Sequence, residues 1–262
     1  MATLTISIIQ TFIFWEDVDK NLKMLEEKIN SLSGKIEVVV LPEMFSTGFS
    51  MNPENIAETM DGKGIEWLKN ISSEKRLLLT GSLIIKEDNK FFNRLIWMQP
   101  DKNFYYYDKR HLFAYAGENE KYNPGNKRLI VSVKGFKINL LICYDLRFPV
   151  WSRQTKGNSP EFDILIFVAN WPSKRINAWR SLLIARAIEN QCYVVGVNRV
   201  GKDGNDIEYN GDSMLVDPLG NVIYEMKDTE EIFTFTLDYN ELETVRSQFP
   251  FLKDADDFRI IG

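Results

Sequence analysis

Ile138-Asn139-Leu140-Leu141-Ile142-Cys143-Tyr144-Asp145-Leu146-Arg147-Phe148-Pro149 changes character at Cys143. The first five residues are largely apolar and read as a buried strand. The residues after Cys143 are charged, aromatic and turn-forming. A thiol at that junction sits at the end of a rigid element, where the scaffold fixes its position. An isolated cysteine has a pKa of about 8.5 and is mostly protonated at neutral pH. It becomes a useful nucleophile only with a base or a positive neighbour. The sequence holds a single histidine, His111, so other residue types are the candidates for that base.

Two further segments repeat the arrangement. Glu37-Val38-Val39-Val40-Leu41-Pro42 leads to Glu43, and Phe104-Tyr105-Tyr106-Tyr107-Asp108 leads to Lys109. Layered α/β folds gather their sites at the carboxyl ends of strands. Glu43, Lys109 and Cys143 are therefore expected to converge. Leu41-Pro42 and Met44-Phe45 flank Glu43 with apolar groups, and a partly desolvated carboxylate gains proton affinity suited to acid–base work. An ammonium at Lys109 would favour negative charge on sulfur or on a tetrahedral oxyanion.

The 262 residues carry a net charge of −5 and no long basic tract; Lys109-Arg110-His111 is a short cluster. Nucleic acid and anionic membranes are thus not expected as partners. No stretch reaches the length of a membrane span. Thr3 to Gln10 largely alternates polar and apolar residues and lacks the basic flank of a signal peptide. With two cysteines, a disulfide framework is not expected, and a reduced, cytoplasmic protein is. One histidine cannot build a zinc cluster, and we expect neither metal nor organic cofactor.

Strand and helix patterns alternate without a linker or repeat, so residues 1–262 read as one domain. The opening strand ends near Gln10. Val18, Leu22, Leu25 and Ile29 mark one face of a helix that Gly34 closes. Further helices are expected over Gly64 to Lys75 and Ile176 to Asn190. Leu77 to Ile85 and Phe91 to Met98 form a hairpin around Glu87-Asp88-Asn89-Lys90. Gly117 to Gly125 reads as a polar loop holding two acids, Glu118 and Glu120. Strands follow over Leu129 to Val133, Lys137 to Ile142, Asp163 to Val168, Cys192 to Val197, Tyr209 to Val216, Asn221 to Glu225 and Ile232 to Leu237. Hairpins mixed with strand–helix alternation predict a layered α/β sandwich. Cys192 begins an apolar run and reads as a small core residue; His111 reads as structural.

Leu41-Pro42-Glu43-Met44-Phe45, Asp108-Lys109-Arg110-His111-Leu112-Phe113 and Cys143-Tyr144-Asp145-Leu146-Arg147-Phe148-Pro149 occur in that order. Together they resemble the nitrilase (carbon–nitrogen hydrolase) superfamily and its Glu-Lys-Cys triad. Within it the chain is most similar to the ω-amidase group. The segments Val168-Ala169-Asn170-Trp171-Pro172, Ala185-Arg186-Ala187-Ile188-Glu189-Asn190, Gly211-Asp212-Ser213 and Asp254-Ala255-Asp256-Asp257-Phe258-Arg259 extend the likeness. The resemblance implies a four-layer α-β-β-α sandwich, commonly a homodimer, that hydrolyses the terminal amide of a small 2-oxo acid.

By the same resemblance Glu43 is the general base, Lys109 the oxyanion stabiliser and Cys143 the nucleophile; a second, assisting glutamate is Glu118 or Glu120, and the count back from Gly125 fits Glu118 better. The Tyr144 N–H would share the oxyanion. Arg147 is the candidate for a substrate carboxylate, with an ion pair to Asp145 as its structural alternative. Phe45, Phe113 and Trp171 are candidate pocket walls, and Asn170 a candidate substrate contact. The competing readings are an amidase or N-carbamoyl amidohydrolase for another small amide and, from another class, a thiol redox sensor or a scaffold.

Overall fold

The computed structural model describes residues 2–155 and 159–260. The first sheet contains β1 (Thr3–Gln10), β2 (Val38–Val40), β3 (Leu78–Glu87), β4 (Lys90–Met98) and β5 (Phe104–Asp108). The second contains β6 (Leu129–Val133), β7 (Phe136–Ile142), β8 (Ile164–Val168), β9 (Tyr193–Val197), β10 (Val200–Lys202), β11 (Glu208–Val216) and β12 (Val222–Lys227); β13 (Glu231–Asp238) returns to the first. The six-stranded sheet runs β13-β1-β2-β3-β4-β5, and the seven-stranded one β10-β11-β9-β8-β7-β6, with β12 beside β11. Among the helices, α1 (Val18–Asn30), α2 (Pro53–Ile56) and α3 (Lys63–Lys75) lie between strands of the first sheet. The others are α4 (Glu118–Lys121), α5 (Pro149–Ser152), α6 (Ile176–Asn190) and α7 (Tyr239–Gln248).

The layering follows from strand periodicity. Side chains alternate across a strand, so a sheet buried on both faces must be apolar at nearly every position. Val38 and Val40 join Leu95 and Trp97 in the core between the sheets. Val39, Ile96 and Met98 point the other way, onto Leu22, Leu25 and Ile29 of α1 and Ile65, Leu68 and Ile71 of α3. On the far side Trp179, Leu183 and Ala187 of α6 cover the second sheet. The result is the expected α-β-β-α sandwich, with helices α1 and α3 on one face and α6 on the other.

Helix α6 has the bounds read from the sequence, and α3 begins one residue earlier, at Lys63. Helix α1 is capped by the Asp17 carboxylate, which accepts from Lys20 N at 3.2 Å, and it stops at Asn30, before Gly34. Helix α7 has no counterpart in the sequence reading; only Leu242 and Arg246 are buried on it, too sparse a stripe to read. The expected loop Gly117 to Gly125 contains the single turn α4, because Glu118 turns inward to charged partners instead of facing solvent.

Candidate active site

Strands β2 and β5 run in the same direction, since β3 parallels β2 and the hairpin β3–β4–β5 reverses twice. Their carboxyl ends thus share one edge of the first sheet. Beyond β2 the chain follows β3: Leu41 N donates to Thr80 O at 2.7 Å, Met44 N to Ser82 Oγ at 2.8 Å and Phe45 N to Ser82 O at 3.1 Å. This carries Glu43 across to β4 and β5. Lys109 Nζ donates to Glu43 Oε1 at 2.9 Å and to Glu118 Oε1 and Oε2 at 3.0 and 2.9 Å. Asn93, in the middle of β4, donates from Nδ2 to Glu43 Oε1 at 2.8 Å and to Glu118 Oε1 at 3.3 Å. All four side chains are buried.

Cys143 reaches this cluster from the second sheet. Strand β7 ends at Ile142, and Cys143 takes a left-handed backbone (φ 42°) at the start of a 3₁₀ turn, Cys143–Arg147. Such a conformation is unusual for a residue with a Cβ and clusters at functional sites. Met44, beside Glu43, has the same feature at φ 45°. Cys143 Sγ lies 4.0 Å from Asn170 O. Asn170 in turn donates its backbone N–H to Glu43 Oε2 at 2.7 Å and its Nδ2 to Glu43 O at 2.6 Å. The end of β8 therefore bridges the sulfur and the carboxylate.

Asp145 fastens the turn that begins at Cys143 to the lysine strand. Its carboxylate accepts from Ile142 N at 3.0 Å, from Tyr107 OH at 2.7 Å and from His111 N at 3.0 Å, and it bonds His111 Nδ1 at 2.8 Å. Tyr107 OH accepts in turn from Arg110 N at 3.1 Å and Trp151 Nε1 at 2.9 Å. The His111 ring stacks on Phe148 with centroids 3.9 Å apart. His111 thus has structural contacts, as expected, and Asp145 is engaged by partners other than Arg147.

Burial sets the proton affinities. It pushes the Cys143 thiol well above the ordinary range; the Glu43 charge adds to the rise and Lys109 opposes it. Burial alone would pull the Lys109 ammonium down, but Glu118 and Glu43 outweigh it and hold Lys109 above its ordinary value. Burial also raises Glu118, against the pull of Lys109 and with the push of Glu43. At rest the site therefore holds a neutral thiol facing a cationic lysine between two acids. Cys192 differs: it is free and buried, sits in the apolar core, and faces none of these groups. Among the described residues no group of three or more His, Cys, Asp or Glu side chains is placed to hold a metal ion.

A cavity of about 330 Å³ opens onto Cys143 and Lys109. Tyr144, Arg147, Phe113, Asn170 and Trp171 all line it. Phe45 does not. It is fully buried on the helical side of the first sheet, 5.9 Å from the Trp67 ring and packed against Gly81, where a Cβ would come within 2.8 Å of it. The wall expected of Phe45 is supplied by Phe49, four residues on, whose ring lies 5.1 Å from Lys109 Nζ. The sequence reading also passed over Asn93, Arg175, Asp203 and Tyr209. Asn93 sits mid-strand, and Arg175 follows Lys174 in what reads as a solvated pair.

The chain as a whole has known relatives. Residues 5–247 match the carbon–nitrogen hydrolase family, and the chain belongs to that family. It is 38% identical to the omega-amidase YafV of Escherichia coli strain K12, over 99% of this chain and 100% of that one. It is 34% identical to the 2-oxoglutaramate amidase of Bacillus subtilis, over 95% and 96% of the two chains. Its backbone also matches XC1258 from Xanthomonas campestris, a CN-hydrolase superfamily protein solved with an arsenic adduct in its active site. There the TM-score is 0.97 and the identity 41%, over 99% of this chain and 100% of that one.

Proposed function

We propose that the protein hydrolyses the terminal amide of a small 2-oxo dicarboxylic acid monoamide through a thioester on Cys143. The observation that carries this reading is the buried Glu43–Lys109–Glu118 cluster, with Cys143 beside it at the inner end of the cavity. The similarity to an omega-amidase and a 2-oxoglutaramate amidase supports the substrate class.

The resting thiol is neutral, so attack requires removal of its proton as the C–S bond forms. Glu43 takes that proton. Its Oε1 is steadied by Lys109 and Asn93, and its Oε2 by Asn170 N. Negative charge then develops on the former amide oxygen. Lys109 has three N–H bonds: Glu43 takes one, the two oxygens of Glu118 share a second, and the third turns to that oxygen. The Tyr144 N–H, in the first turn of a 3₁₀ helix where backbone donors lack intrahelical partners, is the second donor. Glu43 returns its proton to the departing nitrogen and ammonia leaves. It next takes a proton from water, whose oxygen attacks the thioester. Collapse expels the sulfur, which regains a proton, and the free acid departs. Glu118 keeps Lys109 in place throughout and shares the excess negative charge.

An ammonia-release assay with 2-oxoglutaramate, 2-oxosuccinamate, glutamine and a nitrile tests the reading. Turnover should favour the two 2-oxo acid amides, and intact mass after rapid quenching should show an acyl adduct on Cys143. Preference for the nitrile, or turnover by Cys143→Ala, would overturn it.

A further inference from the structure

The cavity is electrically polarised along its depth. Its inner end holds Lys109 with two carboxylates behind it. Nearer the surface it is lined by two half-buried guanidiniums, Arg147 and Arg175. Arg147 lies over the Trp171 ring at 4.9 Å and Arg175 over the Phe113 ring at 5.0 Å. Among the described residues neither guanidinium has a carboxylate or hydrogen-bond partner. An aromatic face holds a guanidinium plane and leaves its N–H edge free, the edge that pairs with carboxylates. Trp171 Nε1 also donates to the Arg175 carbonyl at 2.9 Å, which fixes the backbone that carries Arg175.

A fourth charged group lines the same cavity, and it is already engaged. Asp203 Oδ1 accepts from Asn205 N at 2.8 Å and Ile207 N at 3.0 Å, and Oδ2 accepts from Tyr209 OH at 2.9 Å. It is 8% exposed and holds its own loop together. The outer part of the cavity thus offers two uncommitted cations and an acid with little left to give.

We infer that Arg175 and Arg147 together form a two-cation cradle for the substrate carboxylate, and that Arg175 is a specificity-determining residue that selects 2-oxo acid amides over 2-amino acid amides. This rests on the amidase reading above and extends it. A carboxylate entering first is repelled by Glu43 and Glu118 and attracted by the arginines, so the amide end goes inward to Cys143. A 2-amino acid amide places an ammonium next to its carboxylate, against two guanidiniums, and Asp203 cannot pair with it without releasing its loop. A 2-oxo acid amide carries no such cation.

The test compares wild type, Arg175→Gln and Arg175→Lys on 2-oxoglutaramate, glutamine and the neutral amide butyramide. For Arg175→Gln, kcat/KM for 2-oxoglutaramate should fall about 10- to 100-fold, mostly through KM, as expected for loss of a charge-assisted contact. Butyramide should change by less than about 3-fold, and the preference for 2-oxoglutaramate over glutamine should narrow. Arg175→Lys should recover part of the loss. Equal losses on charged and neutral amides would overturn the proposal. A second arm measures 2-oxoglutaramate binding calorimetrically to Cys143→Ala, with and without Arg175→Gln. A Kd that rises in step supports the cradle, and an unchanged Kd removes it. If wild type releases ammonia from none of the amides, the amidase reading fails, and the titration still decides the role of Arg175.

Discussion

The two ends of the cavity use charge in opposite ways. At the inner end each ionised group meets a counterpart: Lys109 holds Glu43 and Glu118, and Asn93 bonds both acids. At the outer end Arg147 and Arg175 rest on aromatic rings, without a carboxylate or hydrogen-bond partner among the described residues. A buried charge cluster must be paired to exist at all, and its pairing fixes geometry to fractions of an ångström. Half-exposed cations can wait, because water solvates them until a ligand arrives. On the reading proposed above, chemistry belongs to the closed end and selection among substrates to the open one.

The sharpest way to break this contrast is at the sulfur. Cys143→Ala should lower turnover on the order of 10⁴-fold or more while thermal melting shows an intact fold. Cys192→Ala, in the apolar core, should keep turnover and cost about 1 kcal/mol of stability. Comparable activity losses in both would erase the distinction between the two thiols.

Lys109→Met tests whether the inner end is a mutually dependent unit. It leaves two buried acids facing one another, so denaturant titration should show a loss of about 3–5 kcal/mol, and kcat should fall about 10²- to 10³-fold. A stable, active variant would show that the pairing does not matter.

Tyr107→Phe probes the link between the sheets. It removes the hydroxyl that donates to Asp145 and accepts from Arg110 N and Trp151 Nε1. The orphaned partners should cost about 1–3 kcal/mol, and kcat should drop more than KM rises, because the nucleophile turn is mispositioned rather than the substrate lost. A change confined to KM would argue against positioning.

A further effect, on stability rather than turnover, lies away from the cavity at Glu58, and it sharpens the rule that buried charges need partners. Its Oε2 accepts from Gly64 N at 2.7 Å, while its buried Oε1 has no hydrogen-bond partner among the described residues. Burial raises its pKa from 4.5 to about 7. Below pH 4.5 the group is protonated in folded and unfolded chains alike, so the contribution is constant. Between 4.5 and about 7 the folded state holds the proton more tightly, and stability falls as pH rises. Glu58→Gln should flatten that decline in melts at pH 5 and pH 7.5; an unchanged slope would mean that Glu58 is solvated.

The sequence made the closed end legible and the open end only partly so. Glu43, Lys109 and Cys143 each follow an apolar strand, and the strand ends are where the layered architecture converges. Asn93 escaped because one polar residue in an antiparallel strand is ordinary on a solvated face, and only the crossing of β4 between Glu43 and Glu118 turns it inward. Phe45 misled because apolar neighbours signal burial without saying on which side of a sheet, and here the chain following β3 sends it to the helices. That Arg147 lines the cavity was readable from its place on the turn after Cys143. Arg175 acquires meaning only once Phe113, sixty-two residues earlier, lies beneath it.

The heightened proton affinity of Cys143 has a bearing on survival under oxidative stress. Peroxides consume thiolates and largely spare thiols. On the reading proposed above, the burial that holds the proton on Cys143 between turnovers also slows its reaction with peroxide. That shielding is the opposite of what a peroxide sensor requires.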